Sequence, residues 1–203
     1  MLDEGYIQSL KGFLDPEEGR GLYTTALKAS RFGPCLEIGS YCGKSAVYLG
    51  TACRENHTVL FSIDHHTGSE EQQPGETYFD PELFDYTDFH MDTFRCFRHT
   101  IKNTGLENTV IPIVSRSKTV AHGWSTPLSL VFIDGGHAYE TVLTDYESWA
   151  PHIIKGGYLL IHDIFKSPEE GGQAPHEIYK KAISSGLFFR QPMIGTLGIL
   201  KRK

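Results

Sequence analysis

One stretch decides the fold of this chain: Leu36-Glu-Ile-Gly-Ser-Tyr-Cys-Gly-Lys-Ser45. Its apolar beginning predicts a strand over 35–39, and its end predicts a helix over 43–53, with a turn of small residues between them. Such a sharp passage from strand to helix places backbone N–H groups and a helix N-terminus at the carboxyl edge of a sheet. Because α/β proteins bind cofactors at that edge, the stretch predicts an α/β protein with a cofactor site at this turn.

Three known glycine-containing motifs resemble this turn. A phosphate-binding P-loop needs one more residue than the chain has between Gly39 and Gly43. A dinucleotide fingerprint needs glycine where this chain has Tyr41, whose side chain would obstruct a pyrophosphate. The third pattern, E-x-G-x-x-x-G-x-S, resembles the first motif of class I S-adenosylmethionine (AdoMet)-dependent methyltransferases, in which the loop passes under the methionine part of the cofactor.

Later strands each deliver a carboxylate to the same edge. The strand predicted over 58–64 ends in Asp64, about twenty residues past the glycines, where an acid can accept both ribose hydroxyl protons of a nucleoside cofactor. The alternative is an aspartate that only caps a turn. Two further apolar strands end in Asp134 and in His162-Asp163. This regularity predicts an active site at the carboxyl edge of an open α/β sheet.

These motifs carry a family resemblance. The run F-I-D-G-x-H-x-Y from Phe132, the helix after it and the run P-x-I-x-x-G-G-x-x-x-x-H-D ending at Asp163 resemble small AdoMet methyltransferases of the cephalosporin-hydroxylase type. They are more distantly similar to the metal-dependent catechol-type O-methyltransferases. The likeness runs from about Gly33 to Phe165. It implies methyl transfer from AdoMet to a small molecule, at oxygen, with a divalent metal such as Mg²⁺ as a further cofactor.

The resemblance also implies site residues. A methionine pocket is expected from Gly39, Ser40, Gly43 and Ser45, with Glu37 ordering the loop beneath it. The remaining cofactor contacts are expected from Asp64 at the ribose, Ser117 near the adenine, and Asp134. Catalytic roles, where the methyl group leaves and the acceptor arrives, are expected for Asp134, His137 and Asp163.

The role of His137 is open. Asp134 and Asp163 end strands that should be neighbours, so their carboxylates can converge on a hard divalent ion such as Mg²⁺. The catechol-type relatives have a third ligand beside the second acid, where this chain reads His162-Asp163, and His137 is the candidate to replace it. An imidazole ligand would favour Zn²⁺, Mn²⁺ or Fe²⁺. Alternatively, His137 is a general base or a histidine that bonds only locally at a helix start.

The sequence predicts a doubly wound, mostly parallel seven-stranded sheet with an antiparallel C-terminal hairpin, because strands alternate with helices until the last two strands. One domain is expected over 1–203, with an N-terminal helix at 18–31 and active-site loops at 65–90 and 166–176. The strands are predicted at 35–39, 58–64, 109–114, 128–134, 156–162, 187–191 and 196–200. The other helices are predicted at 43–53, 91–104, 117–122, 137–149 and 174–185.

Composition excludes several classes of protein. The net charge is −6 and the basic residues are dispersed, which disfavours nucleic acid as the main partner. No apolar run approaches the roughly twenty residues of a membrane helix, and the N-terminus does not read as a signal peptide. The four cysteines form no C-x-x-C pair, so we expect reduced thiols and a cytoplasmic protein. A homodimer is one expected form of the protein, although no feature of the sequence decides the oligomeric state.

Two rival functions stay open at this stage. An NAD(P)-binding Rossmann-type oxidoreductase accounts for Asp64 but not for Tyr41, and no Ser/Tyr/Lys catalytic set is visible. A non-catalytic nucleoside-cofactor-binding module would keep the fold without turnover.

Overall fold

A computed structural model describes residues 2–203. The helices are α1 Glu4–Ser9, α2 Pro16–Ala29, α3 Lys44–Glu55, α4 Phe94–Asn103, α5 Ser117–Ala121, α6 Tyr139–Trp149 and α7 Ala174–Ser184. The strands are β1 Cys35–Ile38, β2 Leu60–Asp64, β3 Phe84–Asp85, β4 His90–Met91, β5 Val110–Val114, β6 Leu128–Ile133, β7 Ile153–Ile161, β8 Phe188–Arg190 and β9 Gly198–Arg202. Short 3₁₀ turns occupy Glu70–Gln72, Pro81–Leu83 and Ala150–His152.

Seven strands form one sheet in the order β5-β2-β1-β6-β7-β9-β8. The first five are parallel to one another, whereas β9 runs antiparallel to both β7 and β8. This confirms the predicted doubly wound sheet with an antiparallel C-terminal edge. The chain order reverses direction beside β1, so the carboxyl ends of β1 and β6 flank the place where such sheets bind ligands.

Helices cover both faces of the sheet, which explains why β1 and β6 are buried along their whole length. Side chains alternate across the plane of β6: Leu130 and Phe132 belong to one core, and Val131 and Ile133 to the other. The first core receives α2, α3 and α4, and the second receives α6 and α7 with the fully buried Trp149.

Several boundaries differ from the predictions. Helix α1 was not predicted. Helix α4 begins at Phe94 rather than 91, because His90–Met91 form β4 and the Asp92 side chain accepts the Phe94 N–H in the turn before the helix. Strand β7 begins at Ile153, before an irregularity in its pairing with β6, rather than at 156. Segment 65–90, predicted as a loop, contains two 3₁₀ turns and the β3–β4 hairpin.

Within residues 2–203, no helix combines the length and the apolar character that a membrane span needs. The expectation of a single domain over 1–203 stays a prediction, and Met1 lies outside the described residues.

Candidate active site

A cavity of about 660 Å³ lies along the carboxyl ends of the parallel strands. Of the predicted site residues, it is lined by Gly39, Ser40, Ser45, Asp64, Ser117, Asp134, His137 and Asp163. Glu37 and Gly43 are not among the lining residues. The structure therefore brings most of the predicted residues to one place, as the sheet-edge argument requires.

The glycine turn crosses directly over the end of β6. Gly39 has φ +84°, and a Cβ atom there would lie 2.1 Å from the backbone oxygen of Asp134. Only glycine permits both this backbone conformation and this approach. The turn is therefore held tightly against the acidic end of β6.

Asp64 holds the other side of the turn. Its Oδ2 accepts the N–H groups of Ser40 and Tyr41, both at 2.9 Å, and its Oδ1 accepts the N–H of His66 at 2.7 Å. A carboxylate has about four acceptor positions, so these bonds leave about one for a ribose hydroxyl. The ribose role of Asp64 stays a prediction, with loop ordering as a second role seen in the structure.

We expect Asp64→Ala to weaken binding of S-adenosylhomocysteine (AdoHcy) by about 1.5–3 kcal/mol, roughly 10- to 100-fold, since charge-assisted hydrogen bonds are lost. Isothermal titration calorimetry measures the effect. Asp92→Asn is the matched control, because Asp92 also accepts a backbone N–H near a strand end but does not line the cavity. Unchanged affinity in Asp64→Ala would contradict the assignment.

Glu37 lies beneath the turn, with no exposed surface. The Ser62 hydroxyl donates to its Oε1 at 2.6 Å, and the Ser45 hydroxyl donates to its Oε2 at 2.9 Å. Burial raises the pKa of Glu37 to about 8, although the two serine hydrogen bonds act in the opposite direction. The side chain therefore carries a proton at neutral pH while it connects β1, β2 and α3.

This raised pKa predicts a dependence of stability on pH. The folded protein keeps the Glu37 proton up to a pKa of about 8, whereas the unfolded chain releases it near 4.5. The stabilising contribution is therefore complete below the unfolded pKa and is lost as the pH rises toward the folded pKa. Between pH 5 and pH 8, the free energy of unfolding of the wild type should fall by about 3 kcal/mol relative to Glu37→Gln.

Urea denaturation at the two pH values tests this expectation. Glu107→Gln, which removes a carboxylate from an exposed position, should retain the pH dependence of the wild type. Equal pH dependence in Glu37→Gln and wild type would show that Glu37 ionises normally in the folded protein.

A chain of ion pairs lies at the ends of β6 and β7. His162 is buried, with Nε2 at 2.8 Å from Oε2 of Glu18 and Nδ1 at 3.0 Å from Oδ1 of Asp134. Its Nδ1 also lies 3.4 Å from Oδ1 of Asp163. Burial favours the neutral imidazole, but the carboxylates outweigh it and hold the pKa of His162 far above its usual range. His162 is therefore a buried cation among three acids.

His137 makes a second bridge. Its Nε2 lies 2.9 Å from Oδ2 of Asp163, and its Nδ1 lies 3.0 Å from Oε2 of Glu71. The hydrogen bond to Asp163 raises the pKa of His137 to about 9, against the effect of burial and with help from Glu71. The pKa of Asp163 is lowered, because the two histidines outweigh its burial, whereas burial raises the pKa of Asp134 despite His162.

The same contacts test the predicted metal site. Asp134, His162 and Asp163 each offer a ligand atom within 4.8 Å of the others, and His137 is not in this group. An imidazole coordinates a metal only through a free nitrogen lone pair. Both nitrogens of both histidines face carboxylates, so the predicted set of two acids and an imidazole does not fit in this arrangement. Metal binding by Asp134, Asp163 and His137 stays a prediction.

Comparison with known proteins identifies the family. A family model described as "Methyltransferase domain" matches residues 36–164, which span β1 to the residue after Asp163. The chain belongs to this methyltransferase family. Membership agrees with the methyltransferase form of the glycine turn and favours it over the NAD(P) oxidoreductase alternative.

Solved structures share the methyltransferase fold. The O-methyltransferase TomG from Streptomyces achromogenes, involved in tomaymycin synthesis and in complex with AdoMet, has a TM-score of 0.63 at 16% identity, covering 94% of this chain and 81% of TomG. An O-methyltransferase from Bacillus cereus in complex with AdoHcy has a TM-score of 0.66 at 12% identity, covering 98% and 86%. An rRNA methylase from Streptococcus thermophilus has a TM-score of 0.60 at 12% identity, covering 94% and 99%. At such identities the likeness shows the fold alone.

Some of the methyltransferase's site was not predicted. The cavity is also lined by Glu71 and by the segment Lys11–Leu14, and Glu18 enters the ion-pair chain from α2. Segment 65–90 contributes several lining residues, whereas none of the described residues of 166–176 lines this cavity. A functional role for 166–176 stays a prediction.

Proposed function

We propose that this methyltransferase transfers the methyl group of AdoMet to an oxygen atom of a small molecule. The observation that carries the proposal is the single cavity that joins the glycine turn and Asp64 to His137 and Asp163. A nucleoside cofactor at the first pair would share one chamber with an acceptor at the second. Positioning two reactants in this way can supply about 7–11 kcal/mol of a reaction barrier.

The chemistry needed is an in-line displacement. The acceptor oxygen attacks the sulfonium methyl carbon, the carbon–sulfur bond breaks, and AdoHcy leaves with the electron pair. The acceptor hydroxyl must also lose its proton, and we assign that proton to His137 in its neutral form. Asp163, bonded to Nε2 of His137, orients the ring, and the acceptor hydroxyl must displace the partly exposed Glu71 from Nδ1 in order to give its proton to that nitrogen. Asp134 lines the same part of the cavity, where its carboxylate can accept the acceptor hydroxyl.

The remaining predicted roles belong to the same proposal. Ser40, Ser45 and Gly39 contact the methionine portion, Asp64 the ribose, and Ser117 the adenine. A divalent ion at Asp134 and Asp163, if bound, would lower the pKa of the acceptor hydroxyl. The net charge of −6 supports a small acceptor rather than a nucleic acid.

Calorimetry followed by a transfer assay tests the proposal. Metal-stripped protein is titrated with AdoHcy and, separately, with NAD⁺, each with and without Mg²⁺ or Mn²⁺. We expect micromolar AdoHcy binding, no NAD⁺ binding, and transfer of labelled methyl from AdoMet to members of a panel of hydroxylated small molecules. Binding of AdoHcy without transfer to any acceptor would favour the non-catalytic module, and no binding would reject AdoMet as cofactor.

A further inference from the structure

Two cysteines meet beside the glycine turn, and the roles described above leave both of them unused. Cys42 lies between Tyr41 and Gly43 in the turn and is fully buried, whereas Cys96 lies near the start of α4 and is partly exposed. Cys42 belongs to a small apolar cluster, and Cys96 packs against that cluster. The two thiols interact directly, side chain to side chain. The fold therefore brings two reduced thiols from separate parts of the chain into contact.

The backbone of the glycine turn packs closely on α4 at this point. A Cβ atom added to Gly43 would lie 3.2 Å from Cδ2 of Phe97 and 3.3 Å from Cγ2 of Thr100. Gly43 follows Cys42 and Phe97 follows Cys96, so each member of this contact is the chain neighbour of one cysteine. Disulfides form only between residues whose Cα atoms lie about 4.4–6.8 Å apart, so close packing of this kind is a precondition for one.

The surroundings make Cys96 the more reactive of the two thiols. A cysteine reacts as its thiolate, and hydrogen-bond donors and cations nearby favour that form. The interaction with the Cys42 thiol lowers the pKa of Cys96, and the ammonium group of Lys11 acts in the same direction, against the effect of burial. The same interaction and burial raise the pKa of Cys42. A small oxidant therefore reaches and reacts with Cys96 first, while Cys42 stays protonated beside it.

We propose that Cys96 and Cys42 form a reversible disulfide when the protein reacts with hydrogen peroxide. The Cys96 thiolate attacks one peroxide oxygen, the O–O bond breaks, and hydroxide leaves and takes up the proton that the Cys96 thiol had released. Cys96 is then a sulfenic acid. The Cys42 sulfur attacks the Cys96 sulfur, the S–O bond breaks, and the hydroxyl group leaves as water with the proton of Cys42. Two thiols are oxidised, one peroxide is reduced to two molecules of water, and a dithiol reductant reverses the disulfide by exchange.

The disulfide would act on the turn that borders the cavity. Bonded sulfur atoms lie about 2.05 Å apart, closer than two thiols in contact, so the turn must move toward α4 when the bond forms. Ser40 and Tyr41 line the cavity and donate their N–H groups to Asp64, so moving the turn weakens those bonds. This consequence rests on the proposed function, whereas the disulfide itself does not. We expect oxidation to weaken AdoHcy binding about 5- to 150-fold, the usual range of coupling between two sites.

Peptide mapping by mass spectrometry tests the disulfide without any ligand. After treatment of the reduced protein with hydrogen peroxide, we expect a peptide in which Cys42 and Cys96 are cross-linked, and its loss after dithiothreitol. Cys42→Ala should instead accumulate a sulfenic acid on Cys96, which dimedone traps. Cys35 and Cys53 provide the internal control, because their thiols also interact but both are buried and should stay reduced. Absence of the cross-link in the wild type would overturn the proposal.

Calorimetry with AdoHcy tests the effect on the cavity. Peroxide should weaken binding to the wild type and dithiothreitol should restore it, whereas Cys96→Ala, at a position that does not line the cavity, should bind equally well before and after peroxide. By linkage, bound AdoHcy should oppose the disulfide in glutathione redox buffers by the same factor.

Three outcomes separate the two parts of the inference. A disulfide with unchanged AdoHcy affinity, or an equal loss of affinity in Cys96→Ala, would overturn the control of cofactor binding. Failure of the reduced wild type to bind AdoHcy would reject the proposed function but not the disulfide. Thermal unfolding confirms that each variant is folded, and Cys96→Ser provides a second replacement if Cys96→Ala is not.

Discussion

Replacing His162 by glutamine should lower the free energy of unfolding by about 3–5 kcal/mol, the range found when one partner of a buried ion pair is removed. His162 is 6% exposed, and its two ring nitrogens neutralise Glu18 and Asp134. Without the imidazolium, Glu18 would keep only the bonds from the N–H and the hydroxyl of Thr196. The buried negative charges would then be uncompensated.

Urea denaturation near pH 6 measures the effect. The pKa of His162 is raised in the folded state, so its stabilising contribution is complete below the unfolded pKa and declines as the pH rises above it. The difference in free energy of unfolding between wild type and His162→Gln should therefore be largest below about pH 6.5 and smaller at pH 9. His122→Gln, at an exposed histidine, should change stability by less than about 0.5 kcal/mol.

A double variant checks that the effect comes from charge. Glu18→Gln removes one of the acids, so its combination with His162→Gln should destabilise less than the sum of the two single changes. Two outcomes would show that the imidazole is not a buried cation. The changes in free energy of unfolding of the two single variants would be additive, or His162→Gln would lower the free energy of unfolding by less than about 1 kcal/mol.

The sequence was sufficient to predict the sheet and the acidic edge. Apolar runs ending in Asp64, Asp134 and Asp163 were each recognisable locally, and parallel strands in an open sheet must place such ends together. The glycine turn was equally local, since its motif lies within the short run from Glu37 to Ser45.

The partners of those acids were not predictable in the same way. Glu18 lies 144 residues from His162, and only the packing of α2 on the sheet brings them together. One signal was present: Glu18 precedes Leu22 and Ala26 at four-residue spacing, on the buried face of α2. A carboxylate at such a position indicates a buried partner, although the sequence does not say which.

The position of Glu71 was beyond sequence reasoning for another reason. Segment 65–90 has no hydrophobic period, so its conformation depends on contacts with the rest of the chain. Among these, Lys11 pairs with Asp80 and Glu82, and His137 contacts Glu71. Irregular segments of this kind take their shape from tertiary contacts, which no local pattern encodes.

His137→Gln should lower kcat by about 10²- to 10⁴-fold, the range for loss of a general base, and leave AdoHcy affinity within about twofold. The reason is that His137 lines the part of the cavity proposed for the acceptor, whereas the proposed contacts to the methionine portion and the ribose are made by other residues. Single-turnover methyl transfer and AdoHcy calorimetry measure the two quantities. His122→Gln should behave as wild type in both.

The pH profile distinguishes a base from a residue that only supports the structure. A base must be deprotonated to act, and the pKa of His137 is raised to about 9. In the wild type, kcat/KM should therefore rise about tenfold per pH unit below pH 9 and level off above it. Glu71 raises that pKa, so in Glu71→Gln the pH at which kcat/KM levels off should be lower than in the wild type. If the pH dependence of kcat/KM does not shift in Glu71→Gln, or is still present in His137→Gln, another group accepts the proton. Asp134 would be the next group to test, because it lines the same cavity.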